Sequence, residues 1–196
     1  MASNLSLTVE TRTIPIFFRL LQSGFEVETE VGCSVRTLLS ETLGLETNYI
    51  EERIQTVFLD GEAVDDIGTA VVRDGSVLAL SAAMPGLIGA VLRKGSYYAA
   101  MRREISHKKE IESTSSRKGR VVVKLFNLLN RELGQLFLER GIWVPDDDFR
   151  DILEKHSDSF VNELKLIEID GKGCNLDQLT IVKWDSGRVF LRIRGG

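Results

Sequence analysis

The chain has 196 residues, 43% of them hydrophobic and 28% charged, with a formal net charge of −4. That composition excludes wholesale disorder and gives the molecule as a whole no pull toward polyanions, and the length suits one large domain or two small ones. Cys33 and Cys174 stand apart and outside any CxxC pair, and with His107 and His156 they lack metal-ligand spacing. Neither a disulfide nor a metal site is expected, and two ordinary thiols fit a reducing, cytoplasmic setting.

The first residues, Met1 to Val9, lack a basic start and an apolar core, so no signal peptide is expected. The run Ile14-Pro15-Ile16-Phe17-Phe18-Arg19-Leu20-Leu21 is mostly apolar, β-branched or aromatic and reads as a buried strand. Gln22-Ser23-Gly24 supplies a turn, and Phe25 to Val31 alternates cleanly, so the two runs are expected to form an N-terminal hairpin. Ser34 is a natural N-cap for a helix carrying Val35, Leu38, Leu39 and Leu43, with Gly44 at its C-cap. Ile54 to Leu59 reads as a strand, Asp60-Gly61 as a type I′ turn and Glu62 to Val64 as its return. Asp74-Gly75 marks another turn before a closing strand over Ser76–Ser81.

The segments Val57 to Val64 and Val71 to Leu80 resemble the second half of the ubiquitin-like sulfur carriers. There, a strand, a small-residue turn and a closing strand opened by Asp-Gly lead to a diglycine tail. The resemblance covers roughly residues 12 to 90 and implies a β-grasp fold. In those carriers the terminal glycine carboxylate is adenylated. Here the comparable place reads Met84-Pro85-Gly86-Leu87-Ile88-Gly89-Ala90 and the chain continues. An internal carbonyl cannot be adenylated, so this domain is expected to serve as a surface, not as a carrier site.

Gly75 to Leu92 holds eighteen residues without a charge, the length of a membrane span. Pro85-Gly86 interrupts its middle, so a strand, a turn and a short helix are expected instead, with no membrane partner. From Val91 to Lys124 ten basic residues face three acidic ones, giving +7 for the segment and −11 for the rest. Tyr97, Tyr98, Met101 and Ile105 have helical spacing, so a short amphipathic helix is expected over Tyr97–Ile105, and Ser113 to Ser116 reads as a joint between domains. The basic stretch is either a polyanion site with tyrosines available for stacking or a solvated linker. The linker is the expectation, without specific nucleic-acid binding.

Val122, Leu125, Phe126, Leu129, Leu133, Leu136 and Phe137 recur at helical spacing, so a long amphipathic helix is expected to run to Gly141. Asp148 is expected to cap the next helix. Leu164–Ile169, Leu179–Trp184 and Arg188–Ile193 read as strands, the last two joined in a hairpin by Asp185-Ser186-Gly187. The sequence reading is thus α+β: a β-grasp over 12–90, a basic helix and linker over 91–119, and an α+β domain over 120–196.

The chain given ends Leu191-Arg192-Ile193-Arg194-Gly195-Gly196, which resembles the tail of the ubiquitin family. The resemblance implies activation at Gly196 by an ATP-dependent partner enzyme. Gly195 and Gly196 would let the backbone through a narrow channel, and Arg192 and Arg194 would pair with acids on that enzyme. No P-loop, dinucleotide fingerprint, GxSxG or HExxH occurs, so no catalytic residue and no cofactor are expected. Two functions follow: a protein modifier or carrier activated at its terminal glycine, or a non-catalytic adaptor that docks partners on its β-grasp domain.

Overall fold

A computed structural model describes residues 3–98 and 117–196. The chain is α+β and divides into two compact units, one of Glu26–Leu129 and one of Met1–Phe25 with Asn130–Gly196. The linear division expected at 12–90, 91–119 and 120–196 gives way to an interleaved one. Residues 12–25 belong to the unit that holds the C-terminal strand, and residues 117–129 to the other.

In the discontinuous unit β1 (Asn4–Val9) is followed by a 3-10 turn at Thr11–Phe17 and α1 (Phe18–Ser23). The strand expected over Ile14–Leu21 is therefore helical, and the N-terminal hairpin is absent. The run permits both readings: Ile14, Phe17, Leu20 and Leu21 also recur at helical spacing and are all buried. Gly24, at φ +127°, ends the helix.

The continuous unit opens with β2 (Phe25–Val31), whose first residue belongs to the other unit. Ser34 caps α2 (Val35–Thr37) by accepting the Thr37 N–H at 3.1 Å, and a π-helical turn carries the helix on through Leu38–Thr42. After α3 (Thr47–Glu52) come β3 (Thr56–Leu59), β4 (Glu62–Ala63) and β5 (Val77–Ser81). Asp60 and Gly61, at φ +52° and +87°, make the expected turn between β3 and β4. The chain continues through α4 (Gly86–Leu92) and returns as β6 (Arg117–Phe126). No described helix is long and apolar enough to cross a membrane. Beyond Tyr98, the helix expected over Tyr97–Ile105 lies outside the described residues, as does the Ser113–Ser116 joint.

β6 occupies the first third of what spacing reads as one long helix. Val121, Val123 and Leu125 are fully buried while Val122 and Lys124 are half-exposed, so the period is two. The helix proper, α5 (Asn127–Arg140), begins without a loop. Asn127 makes the corner at φ +54° and ties it to β5 by donating from Nδ2 to Ser81 Oγ at 2.8 Å. Within this unit the sheet order is β4-β3-β5-β6-β2, with β6 parallel to β5 and β3 antiparallel to it.

α5 carries the chain into the discontinuous unit and ends at Gly141 (φ +99°), as expected. β7 (Ile142–Pro145) leads directly into α6 (Asp146–Lys155), whose first turn holds Asp146, Asp147 and Asp148. Asp148 thus lies inside the helix as a dipole partner and is not its cap. α7 (Ser157–Glu163), β8 (Leu164–Ile169) and β9 (Lys172–Gly173) follow. Residues 176–181 form α8 (Leu176–Ile181) and not the expected strand, because Asn175 and Gln178 close a reciprocal capping box. β10 (Arg188–Gly195) pairs parallel to β1 and antiparallel to β7, so the expected C-terminal hairpin does not form. The sheet order here is β7-β10-β1-β8-β9. Leu5, Leu7, Leu191 and Ile193 are buried in its core together with Phe17, Phe149 and Phe160.

Candidate functional site

Of the tail motif, Arg192, Arg194 and Gly195 end β10 and Gly196 follows it. Alternation along this strand buries Val189, Leu191 and Ile193 and exposes Arg192 and Arg194, as the sequence predicts. Gly195 and Gly196 are exposed too, yet they are not a loose thread. Gly195 stands in register with Val9 of β1, and the Gly196 N–H donates to the Val9 carbonyl at 3.0 Å. Lys165 Nζ donates to the Gly196 carbonyl oxygen at 2.8 Å and pairs with Glu10 at 2.7 Å. That lysine bond holds the Glu10 carboxyl below its ordinary pKa. The Arg192 guanidinium lies 5.2 Å from the centre of the Phe190 ring, and its Nε donates to the Arg140 carbonyl at 3.3 Å. Arg194 faces outward in register with Thr8.

Glycine has a local reason at both positions. A Cβ on Gly195 would stand 2.7 Å from Thr11 Oγ1, and one on Gly196 would stand 2.6 Å from Thr8 Cγ2. Small size is therefore favoured by close packing against Thr8 of β1 and Thr11 in the turn after it, as well as by any enzyme channel.

A second candidate lies on the sheet of the continuous unit. One face, through Val57, Leu59, Leu78, Leu80, Val123 and Leu125, is core. Register puts Phe58, Ala79 and Lys124 side by side on the other, with Val77 beside Val122 and Thr56 beside Ser81 and Phe126. Phe58, Val77, Ala79 and Val122 are only half-buried there, and Phe126 is 38% exposed. A groove of about 280 Å³ runs among Thr56, Phe58, Ala79, Ser81, Met84 and Phe126. The Thr56 hydroxyl on it is buried and has no hydrogen-bond partner among the described residues. At the β2 side of this face Arg120 pairs with Glu28 at 3.3 Å and with Glu26 at 3.9 Å.

Among the described residues no three histidine, cysteine or acidic side chains gather as a metal site. Cys33 and Cys174 are free thiols, both pushed above the ordinary cysteine pKa by burial. His156 stacks edge-on to Phe160 at 6.3 Å on the discontinuous unit. The chain matches no known family. No family model, no curated protein sequence and no solved structure is detectably similar to it. Sequence reasoning found the tail residues but not the open sheet face. Its signal is present in the alternation of Arg120 to Phe126, where the spacing from Val122 onward predicts a helix instead.

Proposed function

We propose that this chain is a non-enzymatic docking module of the reducing cytoplasm. In this reading unit 26–129 is β-grasp-like and offers the free face of its sheet to a partner protein. The observation that carries the reading is the strand order. β2, the α2 helix, β3, β4 and the closing strand β5 come in the expected sequence. The neighbour that a hairpin would give β2 is supplied by β6, from the far end of the segment. A β-grasp completed in this way has no carrier tail after β5, which leaves its surface to act.

The half-buried stripe of Phe58, Ala79 and Val122 suits one apolar anchor of a partner. Lys124 in the same row favours an acidic neighbour to that anchor. A photoreactive phenylalanine analogue at position 58 should give one discrete adduct in the native cell. Ala79→Arg and Lys124→Glu should abolish that adduct while leaving the thermal transition in place. An unchanged adduct in both variants refutes the docking face.

The exposure of Arg192, Arg194, Gly195 and Gly196 supports a second reading, in which Gly196 is the group activated by an ATP-dependent enzyme. That reading requires the end of β10 to peel from β1 and from Lys165 before it can enter a channel. Mass spectrometry after incubation with the activating enzyme and ATP should then find an acyl-adenylate or thioester on the full chain and none when Gly196 is deleted. Full cellular activity of the deletion variant leaves the docking reading alone.

A further inference from the structure

β5 lies inside the sheet of unit 26–129, antiparallel to β3 on one side and parallel to β6 on the other. Its backbone groups are therefore already paired, and the open face over it offers side chains alone. An extended peptide laid on that face would keep its own backbone donors and acceptors unpaired, whereas a helix satisfies its own. A second sheet fits no better. β6 turns Arg120 and Lys124 to this face, and Glu26 and Glu28 of β2 hold Arg120 there. A sheet broad enough to pack would have to cover those charges.

The footprint that remains is one helix wide. Phe58, Ala79 and Val122 come from the adjacent strands β3, β5 and β6, which at about 4.8 Å between neighbours span roughly 10 Å, the diameter of a helix. Its charge is one-sided. Lys124, beside Ala79, has no carboxylate partner among the described residues, unlike Arg120. Lys124 favours an acid at the border of the apolar stripe, and Glu26 and Glu28 keep an acidic occupant from spreading onto β2.

A second copy of this chain supplies such a helix poorly. α5 and α6 bury their apolar residues, Leu133, Phe137 and Leu138 in one and Phe149, Ile152 and Leu153 in the other. α4 leaves Leu87 and Ile88 exposed at 67% and 72%, but it carries no acid and leads into Arg93 and Lys94.

We propose that the partner docks one amphipathic helix of its own on this face, with the apolar stripe on Phe58, Ala79 and Val122 and an Asp or Glu at its border over Lys124. This inference rests on the docking function and names the occupant.

A library of helical peptides with randomised stripe and border positions, displayed on phage, would be selected against the full chain. Enriched helices are expected to carry apolar residues at i, i+3, i+4 and i+7 with Asp or Glu beside them. Selection against Lys124→Glu should switch the border residue to Lys or Arg, and selection against Ala79→Arg should enrich nothing. Both variants should keep the thermal transition of the parent chain. The synthesised acidic helix should bind Lys124→Glu roughly ten-fold more weakly, and a proline at its centre should weaken binding to the parent chain at least as much. The proposal is overturned if no helix is enriched, if Ala79→Arg enriches the same helices, if the border residue ignores Lys124→Glu, or if the proline peptide binds as well as its parent. A dimer in solution that Ala79→Arg dissociates overturns it too, since the face would then belong to a second copy. The docking function fails separately, by the absence of a discrete adduct at position 58. An adduct that a saturating concentration of the acidic helix does not block leaves docking in place and removes the helix.

Discussion

Leu125→Ala tests the placement of β6. Leu125 is fully buried and stands beside Leu80 on the core face, while Lys124 points to the opposite face beside Ala79. Removing its isopropyl group forfeits about 2.4 kcal/mol at ~0.8 kcal/mol per buried methylene-sized group. The residual cavity raises the total to about 3–4 kcal/mol, within the ~2–5 kcal/mol range of buried Leu→Ala changes. That is a large share of the ~5–15 kcal/mol that holds most domains folded. With a urea slope of about 2 kcal/mol per molar, the midpoint should fall by about 1.5–2 M. The assay is urea unfolding followed by far-ultraviolet circular dichroism, with Lys124→Ala as the control expected to stay within about 0.5 kcal/mol. If Leu125→Ala costs under about 0.5 kcal/mol, or the control costs as much as the test, residues 117–126 do not form the strand described.

Gly141→Ala should destabilise by roughly 2–4 kcal/mol in a thermal melt. The residue has φ +99° and its new methyl would meet the Phe190 ring, so strain and clash add. Both thiols should react with an aromatic disulfide at pH 8 more slowly than a free cysteine. Their rates should climb as pH rises toward their elevated pKa values, because burial keeps both protonated. Asp170 accepts the Asn4 N–H at 2.9 Å, which lowers its pKa. Its contribution should be present at neutral pH and be lost as pH falls through the lowered value, read as loss of amide-exchange protection at Asn4. Asp170→Ala should lose that protection at every pH.

Several caps and turns are legible locally, although Asp148 lies inside its helix and Asp185-Ser186-Gly187 joins no hairpin. Ser34, Asp60-Gly61, Gly141 and the alternation of Arg188 to Ile193 all stand where they were read. Two further local signals, the Asn175–Gln178 box and the Asp170-Gly171 turn between β8 and β9, are equally present in the sequence. The misread segments share a different cause. Ile14–Leu21 and Val121–Phe126 are mostly apolar runs of eight and six residues, too short for the period to be unambiguous, so tertiary partners decide between helix and strand. Partners were out of reach because the decisive pairings are remote: β1 meets β10, and β2 takes β6 as a neighbour. The same holds for the sites. The tail residues are adjacent in sequence and could be found, whereas the docking stripe assembles Phe58, Ala79 and Lys124 from three strands.

The pairing of β1 with β10 also sets a schedule. Val9 leaves the ribosome about 180 residues before its neighbours in β10 exist, which at roughly 5–20 residues per second is a wait of about 10–40 s. Unit 26–129 is continuous and has all five of its strands by Phe126, so it can be complete while the rest is still being made. Until then the apolar face of β1 and the helix after it remain uncovered on a growing chain. Early chaperone contact should therefore concentrate on residues 4–23, and a pause in translation anywhere between 130 and 188 should prolong it.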